Sequence, residues 1–123
     1  MEWQRSNPVY PVADVTASID WYRRVFGFEV RVANPPGEVP VYAVLRRDNV
    51  WIHLLRKDKA PHGLTNPVQA QFWIDDDLDE LFHSVKEMGV EIIQAPDDQP
   101  WGHRDFMVAD PDRNIVWVTV LRA

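Results

Sequence analysis

The sequence predicts an α+β fold made of two tandem β-α-β-β-β modules. Three observations lead there: the order in which apolar periodicities change along the chain, the near-constant spacing at which that order recurs, and a length of 123 residues that suits one domain. Pro8 to Val12 reads as a strand, and Asp14 or Thr16 can cap a helix whose Ile19, Tyr22 and Phe26 share one face. Gly27 ends that helix, because glycine takes the left-handed conformation that a helix terminus needs. Phe28 to Val32, Val39 to Arg46 and Val50 to Leu55 follow as strands, the last two joined by the turn-like Arg47-Asp48-Asn49.

The first module therefore covers about 5–55, a linker with Pro61, Gly63 and Asn66-Pro67 covers 56–67, and the second module covers about 68–123. The second module repeats the order: Gln69 to Ile74 as strand, a helix carrying Leu78, Leu81, Val85 and Met88 up to Gly89, then Val90 to Ile93, Phe106 to Ala109 and Ile115 to Leu121. Val12 matches Ile74, Ile19 matches Leu81 and Gly27 matches Gly89, each at an offset of 62, which grows to 66 where Val50-Trp51-Ile52 meets Val116-Trp117-Val118. An internal duplication explains this.

Composition narrows the function. A net charge of −6 disfavours nucleic acid and anionic membranes, whose phosphates reward a basic face. No apolar run is long enough to span a bilayer and the N-terminus has no apolar signal core, so a cytoplasmic protein is expected. The absence of cysteine excludes thiolate metal sites and thiol nucleophiles. Six tryptophans, each with a large apolar surface and one N–H to satisfy, form the opposite kind of signal.

Strand alternation assigns many of these side chains to a face. Tyr10 and Val12, and Ala70, Phe72 and Ile74, mark the side that packs on a helix. The other side then carries Asn7, Val9, Gln69, Gln71 and Trp73, and by the same parity Tyr42, Arg46, Trp51, His53, Met107, Trp117 and Thr119. One reading makes these residues the interior of a closed sheet. The other makes them a small-molecule groove, because a dry core seldom mixes amides, His and Arg with three indoles.

Asn7-Pro8-Val9-Tyr10-Pro11-Val12-Ala13-Asp14, Ser18-Ile19-Asp20-Trp21-Tyr22, Phe26-Gly27-Phe28 and Asp110-Pro111-Asp112-Arg113-Asn114 together resemble the vicinal oxygen chelate superfamily of glyoxalases, bleomycin-resistance proteins and extradiol dioxygenases. Asp77-Leu78-Asp79-Glu80-Leu81 and Gln99-Pro100-Trp101-Gly102-His103-Arg104-Asp105-Phe106 look most like the bleomycin-resistance branch. The resemblance implies a curved, cup-like mixed sheet with helices on its outer face, and a homodimer; the modules pair within one chain or across the dimer. It also implies aromatic stacking on a flat, basic antibiotic, and Trp101 enters the site by its motif. Arg113 stands where the family usually has glycine, which predicts a slightly strained turn.

The superfamily's enzymes place His and Glu metal ligands on the first and last strands of each module, positions that here fall on Asn7, Gln69, Trp51 and Trp117. Amides and indoles do not replace imidazole and carboxylate, so no metal and no other cofactor is expected. The expected function is non-catalytic binding and sequestration of a planar or cationic small molecule, such as a bleomycin-like antibiotic. Trp101, Trp51, Trp117, Trp73, Tyr42, His53, Asn7, Gln69 and Gln71 are the expected ligand contacts. The alternative is a metal-dependent lyase, isomerase or dioxygenase, and a third class is a partner-binding or regulatory module.

Other motifs carry less. His103-Arg104-Asp105 spells a kinase catalytic tripeptide without the accompanying glycine-rich loop, and His53, His103 and Asp105 lack a nucleophile to serve. Asp75, Asp77 and Asp79, like Asp110, Asp112 and Asn114, begin as calcium loops do but lack the later glycine and glutamate, and read as solvated turn carboxylates. His62 is expected exposed in the linker, His83 on a helix surface, and Trp21 off the apolar face of its helix.

Overall fold

The computed structural model describes residues 1–60 and 67–122 of the chain. The chain divides into two compact units, Met1–Thr65 and Asn66–Ala123. The first contains β1 (Val9–Val12), α1 (Val15–Phe26), β2 (Glu29–Asn34), β3 (Tyr42–Arg47) and β4 (Val50–Arg56), then a 3-10 turn at Lys57–Lys59. Its sheet has the order β1-β4-β3-β2, with β1 parallel to β4 and the other pairs antiparallel. The second contains β5 (Gln69–Ile74), α2 (Leu78–Glu87), β6 (Glu91–Asp98), β7 (His103–Ala109) and β8 (Ile115–Leu121), in the order β5-β8-β7-β6 with the same pattern of directions. Each unit is the predicted β-α-β-β-β module. Among the described residues, no helix is long and apolar enough to cross a membrane.

In the first unit the Asp14 carboxylate caps α1 by accepting from the Ala17 N–H at 3.1 Å. Gly27 closes the helix at φ 70°, its N–H reaching Arg23 O at 2.9 Å. The Arg47 guanidinium adds a 2.6 Å bond to Phe26 O, tying the helix end to β3. The buried face of α1 is wider than the single predicted stripe: Val15, Ser18, Trp21, Tyr22, Val25 and Phe26 are all enclosed. Trp21, expected off that face, is only 7% exposed and packs edge-on against Tyr22 and Phe26, with centroids 4.8 and 5.8 Å away. Tyr22 in turn stacks on Tyr10 of β1, so one aromatic cluster joins helix and sheet.

In the second unit α2 buries Leu78, Phe82 and Val85, whereas Leu81 is half-buried and Met88 exposed. The predicted face was turned by about one residue, because the offset of 62 does not hold through the helices. Thr16, Asp20 and Arg23, which that offset would align with the three buried residues of α2, are exposed. Buried Ser18, Tyr22 and Val25 are their counterparts instead, and α2 is two residues shorter than α1. Packing phase, not sequence spacing, decides which side faces the sheet. Phe82 meets Phe106 of β7 edge-on at 5.4 Å.

Several strand boundaries also move. β6 runs past the predicted Ile93 and through Pro96, which lacks a ladder N–H; it can do so because β6 is an edge strand whose register shifts between Gln94 and Asp97. β7 begins at His103 rather than Phe106, with the Gln99 N–H bonded to His103 O at 2.6 Å across the turn. β2 extends to Asn34, and β3 starts at Tyr42 rather than Val39. The first four residues of the expected linker are the end of β4 and the 3-10 turn, held by paired bonds from Arg56 to Asp58 at 2.6 and 3.0 Å. Pro61, His62, Gly63 and Asn66 lie outside the described residues.

The turn before β8 is not a solvated loop. Asp110 is 3% exposed, and its carboxylate accepts from the N–H groups of Asp112 and Asn114 at 2.9 and 2.8 Å and from Asn114 Nδ2 at 3.1 Å. Buried Asn114 then accepts from the Val68 N–H at 3.1 Å, stapling the entry of β5 to that of β8. Arg113 adopts φ 65°, the left-handed conformation that the sequence suggested would suit glycine there. Two substitutions should thus act in opposite directions on thermal denaturation. Gly27→Ala should cost about 1 kcal/mol through backbone strain alone, since its new Cβ would meet Arg47 only at an ordinary 3.6 Å. Arg113→Gly should be neutral or stabilising by up to ~1 kcal/mol, its exposed ion pair with Glu91 counting for little.

Candidate functional site

Strand partners share a face, so the ladders test the parity assignment directly. In the first unit Val9 lies beside His53, Val44 beside His53 and Arg46 beside Trp51, all on the side away from α1. In the second, Gln71 lies beside Trp117, Trp73 beside Thr119, Asp105 beside Thr119 and Met107 beside Trp117. Each unit therefore has a helix-packed face and an open face, and the expected site residues on strands fall on the open ones.

On the open face of the first unit, Tyr42 Oη and His53 Nδ1 are 2.5 Å apart. Trp51 is covered by guanidinium groups, Arg5 at 4.4 Å and Arg46 at 5.2 Å from its ring. His53 Nε2 is buried with no hydrogen-bond partner. Burial, and then the nearby Arg5 charge, hold the His53 pKa below its ordinary 6.5. Asn7 is half-buried at the head of β1.

The open face of the second unit is organised by a carboxylate. Asp105 is 1% exposed, and it accepts from Trp117 Nε1 at 2.9 Å, Gln94 Nε2 at 2.7 Å and Gln99 Nε2 at 3.0 Å. The Trp117 indole is thereby fixed by its own N–H. Gln71 donates to Thr119 Oγ1 at 2.9 Å, and Gln69, at the strand entry, is exposed. His103 lies between two indoles, with ring centroids 4.5 Å from Trp73 and 6.4 Å from Trp101. Those indoles are 48% and 62% exposed, while His103 Nδ1 is buried without a partner. Gly102, at φ 91°, sets the turn between Trp101 and His103, and a Cβ there would come within 3.3 Å of Arg122 O.

The expected contacts thus separate into a Tyr42–His53–Trp51 group in one unit and a Gln71–Trp117 and Trp73–Trp101 group in the other. Arg5, Gln94, Gln99, His103 and Asp105 belong with them but were not among the expected contacts. Parity alone would have found Asp105 and His103, which alternate with Met107, had β7 been started early enough. The long-range partners of Asp105 leave no such trace.

The metal positions do not fit a metal. Trp117 has given its N–H to Asp105, and Asn7, Gln69 and Trp51 offer amides and an indole. Among the described residues, no three His, Asp or Glu side chains stand close enough to share an ion. On the helix side of the second unit, a shallow depression is lined by Asp79, Asp98, Arg104 and Arg122. It is an ion-pair cluster: Arg104 forks onto Asp79 at 3.0 and 2.8 Å and reaches Asp98 at 3.3 Å. The Arg104 hydrogen bond draws the Asp79 carboxyl below its usual range, and the pair anchors the first turn of α2 to β7.

Residues 6–118 match the family profile of the Glyoxalase/Bleomycin resistance protein/Dioxygenase superfamily. The chain belongs to that superfamily. Curated relatives include bleomycin resistance proteins from Geobacillus stearothermophilus and Staphylococcus aureus, each 32% identical over 127 aligned positions that cover 91% of this chain and 92% of the relative. Among solved structures, TioX from Micromonospora sp. ML1 superposes with a TM-score of 0.83 at 24% identity, over 97% of this chain and 99% of its own. A lactoylglutathione lyase from Agrobacterium tumefaciens superposes at 0.77 and 21% identity, over 95% and 92%. These two likenesses show the superfamily fold.

Two outcomes are expected of the open faces. Asp105→Asn should destabilise the protein by about 1–3 kcal/mol in urea denaturation, because an amide turns one acceptor into a donor facing N–H groups, and the Trp117 indole N–H resonance should move. The His53 ring should titrate by NMR with a midpoint below 6.5, and Arg5→Gln should raise that midpoint. The sign for stability follows: the unfolded chain binds this proton more readily, so the His53 contribution is complete above pH 6.5 and declines as pH falls through the folded midpoint.

Proposed function

We propose that the chain binds and sequesters a flat, antibiotic-type small molecule without transforming it. The observation that carries this reading is the pair of exposed indoles, Trp73 and Trp101, set against a histidine with an unpartnered buried nitrogen. Exposed rings held by a turn and a strand supply stacking surface, and a polar atom between them supplies orientation. Membership of a superfamily that includes bleomycin resistance proteins, and 32% identity to two of them, supports the same reading and makes a bleomycin-class glycopeptide the first ligand to try.

In this reading Trp101, Trp73, Trp117 and Trp51 provide aromatic surface, and Tyr42, His53, Asn7, Gln69 and Gln71 provide hydrogen bonds. The chain acts as one cytoplasmic domain and as a homodimer. Sedimentation equilibrium tests the dimer. The donor chemistry at the family's metal positions disfavours the lyase, isomerase or dioxygenase alternative.

Titration with bleomycin should quench tryptophan fluorescence saturably. Trp101→Ala should weaken binding about two- to tenfold, the loss of one stacking contact worth roughly 0.5–1.5 kcal/mol. No quenching by bleomycin-class antibiotics would remove the proposal. A full equivalent of zinc, iron, manganese or nickel in protein purified without chelator would instead favour the enzyme.

A further inference from the structure

We infer that the open face of the first unit is a subsite for an anionic acceptor group, such as a carboxylate, carried on a flat ring. This deepens the proposed sequestration and rests on it to the extent that the ligand is a flat small molecule. It keeps the planar part of the expected planar or cationic ligand and departs from the cationic part.

The residues of this face include Asn7, ahead of β1, and the strand residues Val9, Tyr42, Val44, Arg46, Trp51 and His53, with Asn34, Val32 and Glu29 beside Tyr42, Val44 and Arg46 on the β2 edge. Among the described residues, neither Arg5 nor Arg46 has a carboxylate within ion-pair distance, and Arg46 spends its Nε on Asp48 O at 2.7 Å. In a chain of net charge −6, two guanidinium groups on one indole without an acid between them form a local inversion of charge.

His53 points the same way. Its Nδ1 is engaged by Tyr42, and its Nε2 is buried and unpartnered. Were Nε2 a lone-pair acceptor, the neighbouring Arg5 would be drawn to donate to it; Arg5 lies over Trp51 instead. The arrangement fits Tyr42 O–H donating to Nδ1, with the ring proton on Nε2. The face then offers one buried N–H and two guanidinium groups, and among the described residues no carboxylate within ion-pair distance of either guanidinium receives them. A carboxylate supplies acceptor oxygens for this set, and a ring bearing it lies against the Trp51 indole once Arg5 swings to the anion. A cationic group placed on the Trp51 ring meets two like charges there, with Glu29 at the β2 edge as the opposing one.

Two probes with the same ring and opposite charge decide the matter: 2-naphthoate and 2-naphthylmethylammonium, titrated into the full isotope-labelled chain and followed by the indole, guanidinium and imidazole resonances. Naphthoate is expected to bind at least about tenfold more tightly than the ammonium and to move the Trp51 and His53 signals. Arg5→Gln and Arg46→Gln should each weaken naphthoate about three- to tenfold without weakening the ammonium. Equal or tighter binding of the ammonium overturns the inference, as does naphthoate that fails to bind or moves only Trp73, Trp101 and Trp117. If bleomycin still quenches fluorescence while naphthoate fails, the subsite alone falls. If naphthoate moves Trp51 and His53 as expected but no bleomycin-class antibiotic binds, the subsite stands and the antibiotic reading falls.

Discussion

A strand that presses alternate side chains onto a helix must turn the residues between them the other way, and in both units the strand residues of the candidate site sit in those intervening places. β4 and β8 are interior strands, each hydrogen-bonded on both edges. In β4, Ile52 and Leu54 are buried while Trp51 and His53 are half-buried; in β8, Val116, Val118 and Val120 are buried while Trp117 points to the open face. Burying the aliphatic set supplies about 1.5–3 kcal/mol per side chain, and summed over the set this exceeds the polar contacts opposite. The core thus sets the register, and a one-residue slip would send every indole into the helix side.

That dependence explains which parts of the molecule were legible in the sequence. Strand alternation is a period-two signal with little ambiguity, so Trp51, His53, Trp117 and Gln71 could be assigned to a face without coordinates. Helical phase is less certain: the predicted stripe through Ile19, Tyr22 and Phe26 shares Tyr22 and Phe26 with the buried face, which widens past it to Val15, Ser18, Trp21 and Val25. Trp21 was misread for this reason, and in α2 Leu81 was taken where Phe82 is the buried residue. The predicted end at Ile93 fell short differently, since proline ends a strand only where its N–H is required, and an edge strand with a shifted register runs on through Pro96.

Polar partnerships were the least legible. Asp110 has the spacing of a solvated turn, yet the same short spacing lets it fold back on two backbone N–H groups and an amide, and these bonds are what permit its burial. Asp105 draws its donors from three separate stretches of chain, which no local pattern announces. Once in place it fixes the Trp117 ring plane, so a residue that resembles a catalytic acid acts as a scaffold for an aromatic surface.

The open faces of the two units show how far side-chain chemistry can drift over a preserved backbone. Strand order and strand direction repeat between the units, but one face gathers guanidinium groups and the other encloses a carboxylate. A repeat of this kind separates inheritance from innovation: ladder geometry is held by buried aliphatics, whereas recognition is written in residues whose replacement leaves those aliphatics untouched. Single substitutions at the outward places of one strand can thus alter the chemistry of a face while the buried aliphatic framework stays as it is.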